Sequence, residues 1–384
     1  MSEFITGYKA ELIRLRVLLQ IAMVAVSYSK NPVKGLKILA GIKAKRQSFQ
    51  GLQRITKFIR SGGRYFFSDN VPGFPSPAFK GFIRTEVIRA SGNNSTRIPF
   101  STVFFSVTSK CPLRCPHCYE WENLSRKEYL SYDDLLVILN KIKLYGNYHF
   151  QLCGGEPLER LDELLLLIRQ ASIGSDVWIN TSGFGLTGEV AHSLKMAGLT
   201  GVEVSLDHWD EAEHNSFRRH PESFYWVREA VESCNKEGLL TTLSLCATGK
   251  FISRENLDKY LQLAMSWGIG VIRILEPRET GRFRGEDIFL LHGQTDLLEE
   301  YYRDAVSSGK PREYPFITYP AYHSRKTGCT GGGRRYIYID PKGDIHACPF
   351  CRRPAGNAVT GSIEDAVAVL RAHGCKEYGH HSEL

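Results

Sequence analysis

Acidic residues are nearly missing from the first sixth of the chain, where residues 1–64 hold 13 Lys and Arg against only Glu3 and Glu11. That segment carries +11 while the whole chain carries +8, which leaves the other 320 residues at −3. The main body is mildly acidic, so a nucleic-acid-binding core is not expected and the basicity belongs to one end. Long hydrophobic runs are also lacking. The uncharged stretch Val17–Ser29 falls short of the ~20 residues that a bilayer-crossing helix needs. Val17–Val26, behind Arg14 and Arg16, has the texture of a signal-sequence apolar segment without making a convincing cleaved signal, and a cytoplasmic chain is expected. No internal repeat or low-complexity tract is present. The 42% hydrophobic and 23% charged residues are ordinary for a globular protein. A length of 384 residues leaves room for one large domain and an appendage.

Cysteine, by contrast, is plentiful. Ten occur, and because disulfides are uncommon in reducing compartments, metal ligation is the better reading of most of them. Cys153, Cys234 and Cys246 sit in apolar contexts and read as small buried hydrophobes.

The texture divides the chain into a basic, amphipathic helical arm (1–64, broken near Asn31–Pro32), a Pro-rich connector (65–100) and two further regions. From 101 to 310, short β-branched runs alternate with helical patterns, the signature of βα units around a parallel sheet. Strands are predicted at Ser101–Val107, His149–Cys153, Asp176–Asn180, Val202–Leu206, Leu240–Cys246 and Val271–Leu275. Helices are predicted to start near Tyr132, Leu158, Gly188, Pro221 and Ser253. Six units predict an α/β fold with a partial (β/α)6 TIM-like barrel. Residues 311–384 hold four cysteines around a hairpin, Arg335–Asp340 and Asp344–Ala347, turned at Pro341–Lys342–Gly343.

Cys111-Pro-Leu-Arg-Cys115-Pro-His-Cys118 follows the first strand, so three thiols leave one sheet edge on one loop, where parallel-strand barrels place chemistry. Three thiolates can ligate three irons of a cubane and leave the fourth open. A zinc site, which prefers four tetrahedral ligands, is the bland alternative. One βα unit later, Gly154-Gly155-Glu156-Pro157 makes a turn that allows close backbone approach. The Cys-x3-Cys-x2-Cys motif and this Gly-Gly-Glu-Pro element resemble the radical S-adenosylmethionine (SAM) superfamily over residues 101–375. The resemblance implies a [4Fe–4S] cluster on Cys111, Cys115 and Cys118, reductive cleavage of SAM to a 5′-deoxyadenosyl radical, and hydrogen abstraction from a substrate. It also implies a low-potential donor of the flavodoxin or ferredoxin class. His117 stands where the family often has Tyr or Phe, and its ring can pack against adenine. Asn180, Ser182, Ser205 and Asp207 resemble family positions facing SAM, and read equally as polar caps. Glu276, Arg278 and Arg282 follow the sixth strand and read as solvated loop charges.

Cys329, Cys348, Cys351 and Cys375 resemble the SPASM extension in its shortened Twitch form, which implies one auxiliary [4Fe–4S] cluster. A zinc ribbon uses similar spacing. The apolar segment Tyr8–Tyr28 followed by a cationic stretch suits an anionic membrane surface at the inner face of the membrane, and equally suits helices packed on the barrel. The substrate expected is a lipid or membrane-held molecule. A peptide or protein, as in SPASM-type maturases, is the second reading, and a non-catalytic Fe–S or zinc protein the third.

Overall fold

Along each predicted barrel strand one set of alternate residues is apolar and the other largely polar, and the fold sorts them by that period of two. A computed structural model describes residues 3–50, 55–92, 97–307, 314–329 and 331–373. The elements in chain order are β1 (Glu3–Ile5), α1 (Gly7–Ser29), α2 (Pro32–Gln50), β2 (Phe58–Ser61), β3 (Arg64–Phe66), α3 (Pro77–Ala90), β4 (Thr102–Ser106), α4 (Tyr132–Tyr145), β5 (His149–Cys153), α5 (Leu161–Ala171), β6 (Asp176–Thr181), α6 (Gly188–Ala197), β7 (Gly201–Ser205), α7 (Glu211–Arg218), α8 (Ser223–Lys236), β8 (Leu240–Cys246), α9 (Arg254–Ser266), β9 (Val271–Leu275), α10 (His292–Val306), β10 (Phe316–Thr318), α11 (Pro320–Thr327), β11 (Tyr336–Ile339), β12 (Ile345–His346) and α12 (Ile363–His373).

Strands β4 to β9 lie in sequence order, each parallel to the next, and form the partial barrel. Val103, Phe150, Ile179, Val204, Leu243 and Ile272 pack outward against helix residues such as Leu135, Ile138 and Leu164. The alternate set, including Thr102, Gln151, Glu203, Thr242 and Arg273, is buried on the opposite face and lines the interior. Helix starts follow local capping. Ser131 and Asp134 make a capping box for α4, and Thr187 and Ser253 cap α6 and α9. The sheet extends past six strands, because β10 adds parallel to β9 and β11 adds parallel to β4, with β12 antiparallel beyond it. The cysteine-bearing hairpin is therefore part of the main sheet.

The N-terminal arm is not purely helical. Phe58–Ser61 and Arg64–Phe66 form a hairpin with β1 added at its edge. Its turn is Gly62–Gly63, with φ of 55° and 75°, the backbone that a two-residue hairpin demands. The Gly-Gly pair between two short runs was the available signal. The predicted connector likewise contains a helix, α3, started by Ser76 and Pro77. One face of this three-stranded sheet packs its Ile5 and Phe58 under α1 and α3, against Ile13, Val17, Phe79 and Ile83. The other face seats Phe4, Ile59 and Phe66 on Trp178, Leu240 and Val271, near the N-terminal ends of the barrel strands. Ion pairs Arg64–Asp176 and Arg273–Asp69 pin this floor. Helices, small sheet and barrel floor are thus three successive layers, and α1 lies at the end away from the barrel mouth.

His149 is fully buried near the floor, its Nδ1 3.2 Å from Thr102 Oγ1. Burial, with a smaller push from Arg273, depresses its pKa to about 3. The unfolded chain, with its histidine near 6.5, takes up the proton first as pH falls, so the stability His149 contributes is complete above pH 6.5 and is lost progressively toward pH 3. Between pH 7 and 5.5 the loss is expected to be about 1 kcal/mol. In urea titrations, His149→Gln should shrink the pH-dependent drop by about that amount; an unchanged drop would show that the ring is not held neutral.

Candidate active site

The loop after β4 is built before its cysteines begin. Glu128 reaches back to accept hydrogen bonds from Thr108 Oγ1 at 2.7 Å and Ser109 N at 3.1 Å, with Lys110 Nζ 3.7 Å away. This clamp sets the direction in which Cys111, Cys115 and Cys118 leave the sheet. Cys115 is buried and the other two are half-buried. Burial raises the pKa of all three thiols, that of Cys118 to about 12, and negative charge on the neighbouring thiols raises Cys111 and Cys118 further. The three groups are therefore close enough to feel one another.

The double-glycine turn lies directly against that loop. Gly155 N donates to Thr108 O at 3.0 Å and Glu156 N to Lys110 O at 2.7 Å. A Cβ on Gly155 would stand 2.1 Å from Lys110 O and 3.0 Å from Cys111 Cβ, and one on Gly154 would stand 2.6 Å from Thr108 O. Pro157 opens the following helical turn and is buried. Glu156, also buried, accepts from Thr181 Oγ1 at 2.6 Å, Ser182 N at 2.8 Å and Ser182 Oγ at 2.5 Å. Burial pushes its pKa up, and these hydrogen bonds oppose the shift. Glu156 thus couples the double-glycine turn to Ser182 after β6.

Asn180 and Ser205 lie at or near the C-terminal ends of β6 and β7 and are half-buried. Asn180 Oδ1 and His117 Nδ1 are buried polar atoms without a hydrogen-bond partner among the described residues. Asp207 accepts from Arg218 Nε at 2.5 Å and from Cys246 N at 3.1 Å. Burial would raise its pKa, but the Arg218 guanidinium and the Cys246 N–H outweigh burial and hold it below the usual carboxylate value.

Arg218 was not singled out from the sequence, since a basic residue in the last turn of a helix carries no distinguishing signal. Its Nη1 lies 3.6 Å from Cys115 Sγ, so one buried guanidinium joins Asp207 to the middle cysteine. Beside it, Phe217 stacks on His117 with ring centroids 4.9 Å apart and planes 16° apart. Burial holds the His117 imidazole neutral, its pKa lowered to about 4. The loop after β9 closes over the other side. Gly281 has a φ of 56° and approaches so closely that a Cβ would stand 2.1 Å from Cys118 O. Arg282 N donates to Cys118 O at 3.1 Å, and its guanidinium donates to Arg114 O at 2.9 Å while lying 4.2 Å from the Trp121 ring centre. Arg282 is therefore a clamp on the cysteine loop and not a free solvated charge. Glu276 is likewise engaged, with Tyr319 and Arg325.

A family model described as the radical SAM superfamily matches residues 105–264, the span from β4 through most of α9. The chain carries a radical SAM domain. It is 28% identical over 260 residues to the PqqA peptide cyclase of Streptomyces rochei, covering 64% of this chain and 68% of that one. It is 27% identical over 294 residues to the mycofactocin maturase MftC of Mycolicibacterium smegmatis, covering 73% and 70%. Its fold resembles that of Streptococcus suis SuiB bound to precursor peptide SuiA, with a TM-score of 0.57, 14% identity, and coverage of 87% of this chain and 77% of that one.

The cofactors of a radical SAM enzyme are a [4Fe–4S] cluster and SAM, and the residues present fit both. Three mutually sensitive thiols on one loop suit a cubane, which spreads its thiolates over three irons. Among the described residues, no three His, Cys, Asp or Glu side chains gather as ligands of one ion would. The orphaned Asn180 Oδ1 and His117 Nδ1, buried polar atoms without a partner among the described residues, suit a small polar ligand. In the C-terminal hairpin, Cys348 is raised to about 12 by burial, with negative charge on Cys351 and Cys329 adding to the shift. Gly332 N lies 3.4 Å from Cys329 Sγ. Cys348 is therefore near enough to both other thiols to feel their charge. Cys375 lies outside the described residues.

Proposed function

We propose that Cys111, Cys115 and Cys118 each ligate one iron of the SAM-cleaving cluster and that the substrate is a peptide. The reading is carried by a three-cysteine loop that packs on the Gly154–Gly155 turn through Thr108, Lys110 and Cys111, in a chain whose curated relatives include a peptide cyclase and a maturase. When bound, the cluster supplies the electron that splits the sulfur–carbon bond of SAM, and SAM supplies the hydrogen-abstracting radical. The chain's own residues then have separable tasks. Gly154 and Gly155 let the cysteine loop pack directly on the turn that would face the methionine end of SAM. Glu156 fixes Ser182 and, through it, the loop beside Asn180. His117, neutral and stacked on Phe217, presents a flat ring to adenine. Ser205 and Asp207 stand at and just past the C-terminal end of β7, and Arg218 places a cation beside Cys115, where negative charge would reside once the thiol is a ligand. Cys329, Cys348 and Cys351, with Cys375 as the fourth candidate, would hold an auxiliary cluster. The electron would come from a flavodoxin or ferredoxin class donor.

The lipid reading is weaker than the sequence suggested, because the apolar arm that motivated it lies at the barrel floor and not at the mouth. After anaerobic reconstitution with iron and sulfide, dithionite and SAM should yield 5′-deoxyadenosine, and Cys115→Ala should lower the yield to background. Equal yields from the two proteins would reject the ligand assignment. With a perdeuterated precursor peptide, deuterium should appear in 5′-deoxyadenosine. Transfer from perdeuterated phospholipid with none from peptide would overturn the substrate class.

A further inference from the structure

Helix α1 is apolar on two opposite sides. Ala10, Ile13, Val17 and Val24 face inward onto α3 and the small sheet. Tyr8, Leu12, Leu15, Leu19 and Met23 recur at helical spacing on the far side, and every one is more than half exposed. At 1.5 Å per residue the stripe runs about 22 Å. Val33 and Leu36 of α2 are exposed to the same degree. A helix that is apolar all round is ordinarily covered on all sides, and contiguous exposed apolar surface of this kind marks an interaction site.

Charge indicates what covers it. Exposed cations are interspersed with these apolar residues along the chain, Lys9 and Arg16 on α1, Lys30 at its C-terminal cap and Lys34, Lys37 and Lys43 on α2. The two acidic residues of the arm are already matched, Glu11 to Arg14 at 2.6 Å and Glu3 to Arg60 at 3.5 Å. A second copy docked on the same face would set these cations against one another, whereas an anionic surface would neutralise them. None of the described helices is long and apolar enough to cross a membrane, which leaves binding along the interface. We propose that the outer face of α1, with the first turns of α2, docks on an anionic lipid surface.

The layering sets the orientation of the docked enzyme. The small sheet stands between α1 and the barrel floor, while the cysteine loop leaves the C-terminal ends of the strands. Docking through α1 therefore turns the mouth toward the aqueous side, where a peptide or protein can enter without passing through the bilayer. Interfacial helices of this type bury apolar side chains at the acyl boundary while each nearby cation adds about 1 kcal/mol of attraction.

The test is co-sedimentation of the full chain with vesicles of phosphatidylglycerol and phosphatidylcholine in equal parts, compared with phosphatidylcholine alone. The protein should pellet with the anionic vesicles at low salt and partition at least tenfold less to neutral ones. Leu12→Glu combined with Leu19→Glu, at exposed positions remote from the mouth, should lower partition to anionic vesicles by about a hundredfold and leave 5′-deoxyadenosine formation unchanged. Wild-type protein remaining in the supernatant, or a double variant that pellets as well as the wild type, would overturn the proposal. So would light scattering that shows a wild-type dimer made monomeric by the double variant, since the face would then belong to a second copy. The cleavage assay is independent of vesicles, so failure here leaves the catalytic reading standing.

Discussion

Gly155→Ala is expected to lower 5′-deoxyadenosine formation at least about a hundredfold while the chain remains folded. The added methyl would stand 2.1 Å from Lys110 O, a backbone atom that no rotamer change can move aside. Overpacking of this kind costs about 1–3 kcal/mol when neighbours can relax. Here the neighbour is the peptide immediately before Cys111, so relief comes from displacing the cysteine loop, and a displacement near 1 Å costs about 10²-fold in rate. Gly188→Ala is the control, because at the start of α6 nothing lies within 4 Å of the new methyl. Reconstituted iron content and product yield should fall together in the first variant and stay at wild-type level in the second. Wild-type yield from Gly155→Ala would mean that the turn does not brace the cysteine loop.

Removing Arg352 should cost about 3–5 kcal/mol of stability, the range seen when one partner of a buried ion pair is deleted. Its Nη1 lies 2.5 Å from Glu120 Oε1, and the two side chains are only 17% and 2% exposed. The pair connects the two cysteine groups, since Glu120 stands two residues after Cys118 and Arg352 one residue after Cys351. Asn123 Nδ2 reinforces the join by donating to both Glu120 and Asp340, and Tyr119 meets Phe350 with ring centroids 6.1 Å apart. Arg352→Ala leaves the Glu120 carboxylate buried with Asn123 as its remaining polar partner among these contacts. A second variant gives the contrast. Arg284 and Glu122 are 2.8 Å apart, but their side chains are 57% and 45% exposed, so Arg284→Ala should cost less than about 1 kcal/mol. Urea unfolding of both variants measures the difference. Similar midpoints would show that the two cysteine loops are not coupled through the Glu120–Arg352 pair.

The barrel was legible because parallel strands buried on both faces read as β-branched runs, and because capping residues such as Ser131 and Ser253 mark helix starts locally. All six predicted strands lie within a residue of their expected bounds. The hairpin at Gly62–Gly63 and helix α3 were hidden for a different reason: each is short, and each is stabilised chiefly by the layer on which it packs. The destination of Glu276 and Arg282 was equally illegible, since a charge in a loop has the same sequence appearance whether it meets water or a guanidinium, a ring or a carbonyl across the fold.

The spacing of Cys111, Cys115 and Cys118 and the Gly-Gly-Glu-Pro turn one βα unit later carried the resemblance to the radical SAM superfamily, and the alternation of β-branched runs with helical patterns gave the α/β fold class. Such motifs are local, and local geometry follows from covalent spacing and backbone freedom. Tertiary structure alone decided that Arg218 stands beside Cys115, that Glu120 and Arg352 tie the two cysteine groups together, and that the basic arm covers the floor and not the mouth. Those facts join residues 103, 232 and 112 positions apart in the chain, and no spacing rule reaches so far because the contacts exist only once the sheet has brought its edges and ends together.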